Sequence, residues 1–375
     1  MVDLAVKTLL HDKIRFLITV SGVAFAVNLV LVQAGLFVGI LDNSTITIRH
    51  LRADLWVTSK NSPNLDFVHQ FPEQNLYRVR SAPGVEQADN LILAFMQFAM
   101  PSGAEETAVV YGLEDFERWR FPWNVTKGSA DDLKRGPYML LDESAEKRFG
   151  TFSVGDYREV QGQRLKIIGT TRDAKSFTTT PLGFMDYARA QSLIPDLLRG
   201  KTSYILVKVA EGANREQVRA ELQRRLPYND VYTSEDWAKR SRDYWIANTG
   251  IGFNAYLTVF LACLVGIVIV AQTLYTSTME HLREFGTVKA IGGSNFDIYK
   301  ILGKQALIAA VLGFGLGYVP ARLITPLIER SGLKLIIEPQ VTGIVFAGTL
   351  VLCLCSALLS FRKVAGIDPS LVFRT

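Results

Sequence analysis

The chain has 375 residues, of which 49% are hydrophobic and 21% charged, and its formal net charge is +5. That length holds two or three domains, and a mean hydropathy of +0.17 is high for a soluble protein of this charge. No run of five or six basic residues forms a stripe that could track phosphates, so the positive balance does not indicate nucleic acid.

The three cysteines, Cys263, Cys353 and Cys355, all lie in apolar runs. They are expected to be packing residues with no metal or redox role.

Residues 1–15 set Lys7, Lys13 and Arg15 beside Leu4, Leu9 and Leu10, a short amphipathic lead-in at a membrane surface. Residues 16–40 are almost wholly apolar. About 20 such residues cross the hydrocarbon core, so a first span is expected there. The run is too long for the apolar core of a cleaved signal peptide, about 7–15 residues. Asn28 and Gln33 are polar inside it, and Gly35 and Gly39 form a Gly-xxx-Gly step. These four residues are expected to form a face that packs on protein, including a dimer partner.

Residues 41–250 hold most of the prolines and all five tryptophans. Short β-rich runs recur at 54–58, 91–100, 107–112, 157–160, 165–169 and 204–209, with a hairpin turning on Gly162. One helix is well marked: Asn214 caps it, Val218, Leu222 and Leu226 share a face, and Pro227 follows its end. Strands mixed with separated helices predict an α+β domain, and the strand density between about 84 and 199 predicts an inserted subdomain. Trp119-Arg-Phe-Pro-Trp123 is an aromatic cluster. A buried role for it is weighed against a candidate adaptor contact through Trp119 and Trp123, since aromatics beside Arg favour interfaces.

Three more apolar runs, 253–275, 301–324 and 341–361, are each long enough to span, and Gly313 with Gly317 repeats the close-packing step. The fold class predicted is therefore a membrane protein: four transmembrane helices with a large extracytoplasmic α+β domain between the first and second. The short loops and tails on one side carry Lys7, Lys13, Arg15, Arg283, Lys289, Lys300, Arg362, Lys363 and Arg374. On the other side the 325–340 loop sets Arg330 and Lys334 beside Glu329 and Glu338. The imbalance places both termini, the 276–300 loop and the 362–375 tail in the cytoplasm of a bacterial inner membrane.

Within that loop Leu282, Phe285, Val288, Ala290 and Ile291 recur at helical spacing, while Glu280, His281, Arg283, Glu284 and Lys289 fill the rest. Gly292-Gly293 supplies a stop, and Ser294 with Asp297 looks like a capping box for the next helix. The expectation is a small amphipathic helix between two spans, shaped to enter a partner protein. Glu280 and Glu284 would be repelled by anionic lipid. The chain has no P-loop, no His-Glu-x-x-His and no Gly-x-Ser-x-Gly, so it is read as a non-enzyme without a cofactor of its own.

The stretch Glu280-x-x-Arg-Glu-Phe-Gly-Thr-Val-Lys-Ala-Ile-Gly-Gly-Ser294 closely resembles the cytoplasmic loop of FtsX/MacB-type ABC transporter permeases. The tail from Arg362 to Ser370, the entry from Thr8 to Gly22, Arg52-Ala-Asp-Leu-Trp-Val57 and the hairpin from Val154 to Gly169 resemble other parts of the same family. Length and the Arg52–Val57 stretch are most similar to the DevC branch of cyanobacterial exporters. The resemblance implies a homodimer in which each copy docks on a separate ATPase that binds ATP and magnesium. Glu280, Arg283, Glu284, Phe285, Gly286, Lys289, Ile291 and Gly292 would form the coupling helix. It further implies a membrane-fusion adaptor, an outer-membrane channel and, in DevC-like members, glycolipid cargo. Rival readings are extraction of lipoproteins or lipids from the membrane and FtsX-like signalling to a cell-wall hydrolase. The outside domain, at about 210 residues, is larger than a simple FtsX-like regulator needs.

Overall fold

A computed structural model of the chain describes residues 13–100, 102–174, 180–280, 294–330 and 333–365. They form two compact units, one from residues up to Gly39 together with those from Gly250 onward, the other spanning Ile40–Thr249.

The first unit is helical. Among the described residues, four segments are long and apolar enough to cross a membrane: Phe16–Asn43, Gly250–Thr273, Ile298–Glu329 and Pro339–Leu358. They belong to the helices Lys13–Asn43, Gly250–Glu280, Asn295–Arg330 and Pro339–Ala365. Valines and alanines dominate the buried positions between them, among them Val23, Val27, Val270, Ala306, Ala310 and Ala357. Such small side chains let helices approach closely, which is what drives association in lipid.

The second unit is built on twelve strands: β1 (Leu55–Ser59), β2 (Phe71–Pro72), β3 (Val85–Ala99), β4 (Glu105–Leu113), β5 (Val125–Lys127), β6 (Tyr138–Asp142), β7 (Tyr157–Val160), β8 (Gln163–Thr171), β9 (Leu182–Asp186), β10 (Lys201–Thr202), β11 (Tyr204–Val209) and β12 (Asn229–Thr233). Ten of them share one sheet in the order β12-β1-β11-β3-β4-β9-β6-β8-β5, with β7 joined to both β3 and β8. The pairings β3–β4, β4–β9, β9–β6, β6–β8, β8–β7 and β7–β3 therefore close a six-stranded ring. Alternation decides its filling. Ile92, Ala94, Met96 and Phe98 of β3 join Val110, Met139, Ile167 and Met185 in one core, whereas Leu91 and Leu93 face a second core with Tyr111, Leu140 and Phe184.

β3 is the shared element, because its first half pairs with β11 and its second half with β4 and β7. The 84–199 region thus has its own apolar core, yet it shares a sheet with its flanks. A further core lies between β1, β11 and β12 and the helices Asn75–Arg80 and Arg215–Arg225.

Local chemistry explains several of these elements. Gln161 and Gly162 both take positive φ, 50° and 74°, the pattern of a two-residue turn whose twist matches the β7–β8 hairpin. Asn214 caps its helix by accepting from the backbone N–H of Glu216 and Gln217. At the sheet edge the Gln223 amide donates to Asn229 C=O at 2.7 Å and accepts from Val231 N–H at 3.0 Å. It occupies bonding groups that an incoming strand would use, and so blunts the edge.

Trp119 and Trp123 are corrected here from their candidate role as an adaptor contact. They are 1% and 8% exposed, packed with Phe116, Phe121 and Phe184 in a core. Trp119 Nε1 donates to Asp89 at 2.8 Å, and the same carboxylate accepts from Arg80 and Arg118. The aromatic pair is a structural plug over β4 and β9, and only Arg120 between them is exposed.

Candidate functional site: the coupling segment and the helices that carry it

The candidate coupling residues Arg283, Glu284, Phe285, Gly286, Lys289, Ile291 and Gly292 lie outside the described residues. Glu280 is the last residue of the helix Gly250–Glu280, and Ser294 stands exposed just before the helix Asn295–Arg330. The segment is thus joined at both ends to long helices. Among the described residues, no group of three His, Cys, Asp or Glu side chains could hold a metal ion.

The first span is locked into the bundle by small residues. Asn28 Nδ2 donates to Gly317 C=O in the third span at 3.1 Å. A Cβ added at Gly317 would sit 2.5 Å from Ala24 C=O, and one at Gly313 2.5 Å from Val23 Cγ1. Gly22 is closed off in the same way by Ile269 of the second span. Gly317→Ala should therefore destabilise the bundle by about 1–3 kcal/mol, the usual cost of overpacking. Gly315→Ala, whose added Cβ meets open space, should be near neutral. Unfolding of the two variants in detergent checks the contrast.

The face formed by Gly35 and Gly39 is also filled by this same chain. Gly35 C=O accepts from Ile336 N–H at 3.1 Å. A Cβ on Gly35 would meet Leu335 Cδ1 at 2.8 Å, and one on Gly39 would run into Lys334 C=O. The segment before the fourth span lies against the first span at this point. Gly35, Gly39 and Asn28 thus pack on protein as expected, and the contacts shown are within the subunit. Gln33 is half-buried.

Two family models match the chain: a MacB-like periplasmic core domain over residues 16–225 and an FtsX-like permease C-terminal region over residues 256–369. The chain belongs to the MacB/FtsX family of ABC transporter permeases. The second match takes in the whole candidate coupling segment, and the first takes in the ring of strands. An uncharacterised ABC transporter permease of Mycobacterium tuberculosis is 24% identical to this permease over 376 residues, covering 98% of each chain. Another, of Mycobacterium bovis, is 25% identical over 358 residues, covering 94% of this chain and 93% of its own. Among solved structures, the periplasmic region of MacB from Actinobacillus actinomycetemcomitans is similar with a TM-score of 0.41 and 13% identity, over 51% of this permease and 94% of that chain. The extracellular domain of the transporter YknZ from Gram-positive bacteria gives 0.37 and 14%, over 48% and 99%.

Proposed function

We propose that this permease couples ATP hydrolysis in a separate ABC ATPase to movement of its Ile40–Thr249 domain on the far side of the inner membrane. The observation that carries the reading is the FtsX-like match over residues 256–369, which spans a charged, amphipathic segment between two membrane helices in a chain with no P-loop. Two copies, each bearing an ATPase on residues 280–292, would drive cargo through a membrane-fusion adaptor and an outer-membrane channel, with a glycolipid as the cargo class. Purification from native membranes tests this: an ABC ATPase should co-purify, together with an adaptor, and its absence under mild detergent contradicts the reading.

Orientation follows from the basic residues of the short loops. A cysteine placed at Ser102, exposed in the turn before β4, should react with an impermeant maleimide in intact cells. One placed at Ser294 should react only after lysis. Labelling of the Ser294 position from outside reverses the topology.

A second reading, extraction of a lipid or lipoprotein from the bilayer, is favoured by one feature of the spans. An apolar cleft of about 200 Å³ runs between the first, second and fourth spans, lined by Val27, Val30, Val259, Gly266, Gly348 and Leu352 among others. Its lining suits a hydrocarbon chain, and lipid analysis of the purified complex separates the two readings.

A further inference from the structure

A cleft of about 850 Å³ opens in the Ile40–Thr249 domain, lined by Glu73, Tyr77, Arg78, Arg80, Asn90 and Glu114 among others. Its acceptors are held in place by the fold. Glu73 Oε2 accepts from Tyr187 Oη at 2.9 Å and from Gln191 Nε2 at 2.7 Å, which fixes the carboxylate and leaves Oε1 without a protein donor among the described residues. Asn90 is 3% exposed. Its Nδ2 donates to Glu73 C=O at 3.4 Å, which sets the orientation of the amide, and its Oδ1 has no partner. A buried carbonyl oxygen without a donor is destabilising, and native structures keep few of them.

Glu114 is only loosely paired. Burial and the carboxylates of Asp89 and Asp186 push its carboxyl above the ordinary value, against the opposing pull of Arg80 and Lys134. Arg80 pairs with it at 4.0 Å, a long contact for a guanidinium that also donates to Ala88 C=O and to Asp89, each at 2.8 Å. Tyr77 adds an aromatic ring on the rim, 71% exposed, of the kind that attracts cations to its face.

We infer that this cleft binds a ligand carrying a single primary ammonium group, whose three N–H donors match Glu73 Oε1, Asn90 Oδ1 and the Glu114 carboxylate. The set favours an organic ammonium over a divalent cation, since among the described residues no group of three His, Cys, Asp or Glu side chains could hold a metal. Arg78, exposed in the same cleft, disfavours a second positive charge on the ligand. The ammonium could come from a free small amine or from a lysine side chain of a partner protein, and the two sources share this chemistry. The site stands on the domain's own geometry and does not depend on the transport reading.

Saturation-transfer NMR on the full permease in nanodiscs tests it, with ethanolamine as the free amine and the blocked peptide acetyl-Gly-Lys-Gly-amide as the lysine probe. At least one should bind at millimolar concentration, with ethylene glycol silent. Glu73→Gln and Glu114→Gln should each weaken binding about tenfold, as expected for losing a charge-assisted hydrogen bond. Glu106→Gln, on β4 beside Arg148, should leave it unchanged, and unaltered tryptophan fluorescence shows that the variants fold. Binding of the peptide alone assigns the site to a partner's lysine, and binding of both probes to a free amine. If neither probe binds up to about 20 mM, a concentration at which even a weak site of a few kcal/mol fills, the inference is overturned. Equal binding by the native chain and both glutamine variants overturns it as well.

Discussion

Replacing Asp66 by asparagine is expected to stabilise the Ile40–Thr249 domain at about pH 8 and to leave it nearly unchanged at about pH 4. Asp66 lies in the segment between β1 and β2, where Leu65 C=O accepts from Tyr204 Oη at 2.7 Å and Leu65 N–H donates to Ser241. Phe67 packs on Tyr244 and Trp245 with ring centroids 5.7 Å apart in each case. The residue as a whole is half-buried, but its Oδ2 is shut off from solvent and has no hydrogen-bond partner. Burial pushes the carboxyl up from 3.8 to about 7, against a smaller opposing effect of the Trp245 side chain.

The sign follows from proton counts. Between those two values the folded chain keeps a proton that the unfolded chain releases, so stability is lost as pH rises from about 4 to about 7 and then levels off. The full loss is about 4 kcal/mol as a ceiling, because part of the side chain still reaches water. Asparagine has nearly the same shape and no charge to lose, so its advantage should grow across the same window. All five tryptophans lie in this domain, and their fluorescence during urea unfolding reports on it alone. An equal difference between native and variant at both pH values means that Asp66 does not titrate in this window.

How much of this was legible in the sequence depends on whether the signal was local. The four spans announce themselves by unbroken hydropathy, and the Gly162 hairpin and the Asn214-capped helix carry their instructions within a dozen residues. β6 and β9 were missed because each is five residues long with no clear alternation, and β12 because its alternating buried positions are Asn229, Val231 and Thr233, only one of them apolar. The helix Ser234–Ala247 was missed because its buried stripe of Trp237, Ala238, Ser241 and Trp245 mixes aromatics with a serine. Ring closure is a matter of long-range register: Phe98 meets Val160, and Tyr138 meets Lys166. No local pattern encodes such pairings.

Two placements were not legible for a shared cause. Trp119 and Trp123 flank an exposed arginine, which kept an adaptor contact open beside burial, while the 333–338 stretch reads as a charged loop. Leu335 and Ile337 alternate with half-buried Lys334 and Ile336 there and are buried at 4% and 7%, a strand-like period that marks the segment as packed on the first span. The ammonium cleft was out of reach for a similar reason, because Glu73, Asn90 and Glu114 come together only once β3 has paired.

The second large effect concerns the coupling segment. Phe285 is the one aromatic residue between Glu280 and Ser294, flanked by Glu284 and, four positions on, Lys289. An aromatic seated at the centre of a protein interface commonly costs about 2 kcal/mol or more when truncated, roughly thirtyfold in affinity. Phe285→Ala should therefore leave the permease inserted, yet lower ATPase retention by about that factor. Glu284→Arg acts by a different route: it keeps the bulk but reverses a charge at the same surface, which slows association and raises its salt dependence.

The most direct test is quantitative co-purification of the ATPase with native permease, Phe285→Ala and Glu284→Arg, read together with the ATPase activity of each reconstituted complex. Coupling through residues 280–292 predicts that both variants insert normally, that both lose bound ATPase, and that stimulated hydrolysis falls in proportion. Native levels of ATPase binding and hydrolysis in both variants would contradict the account.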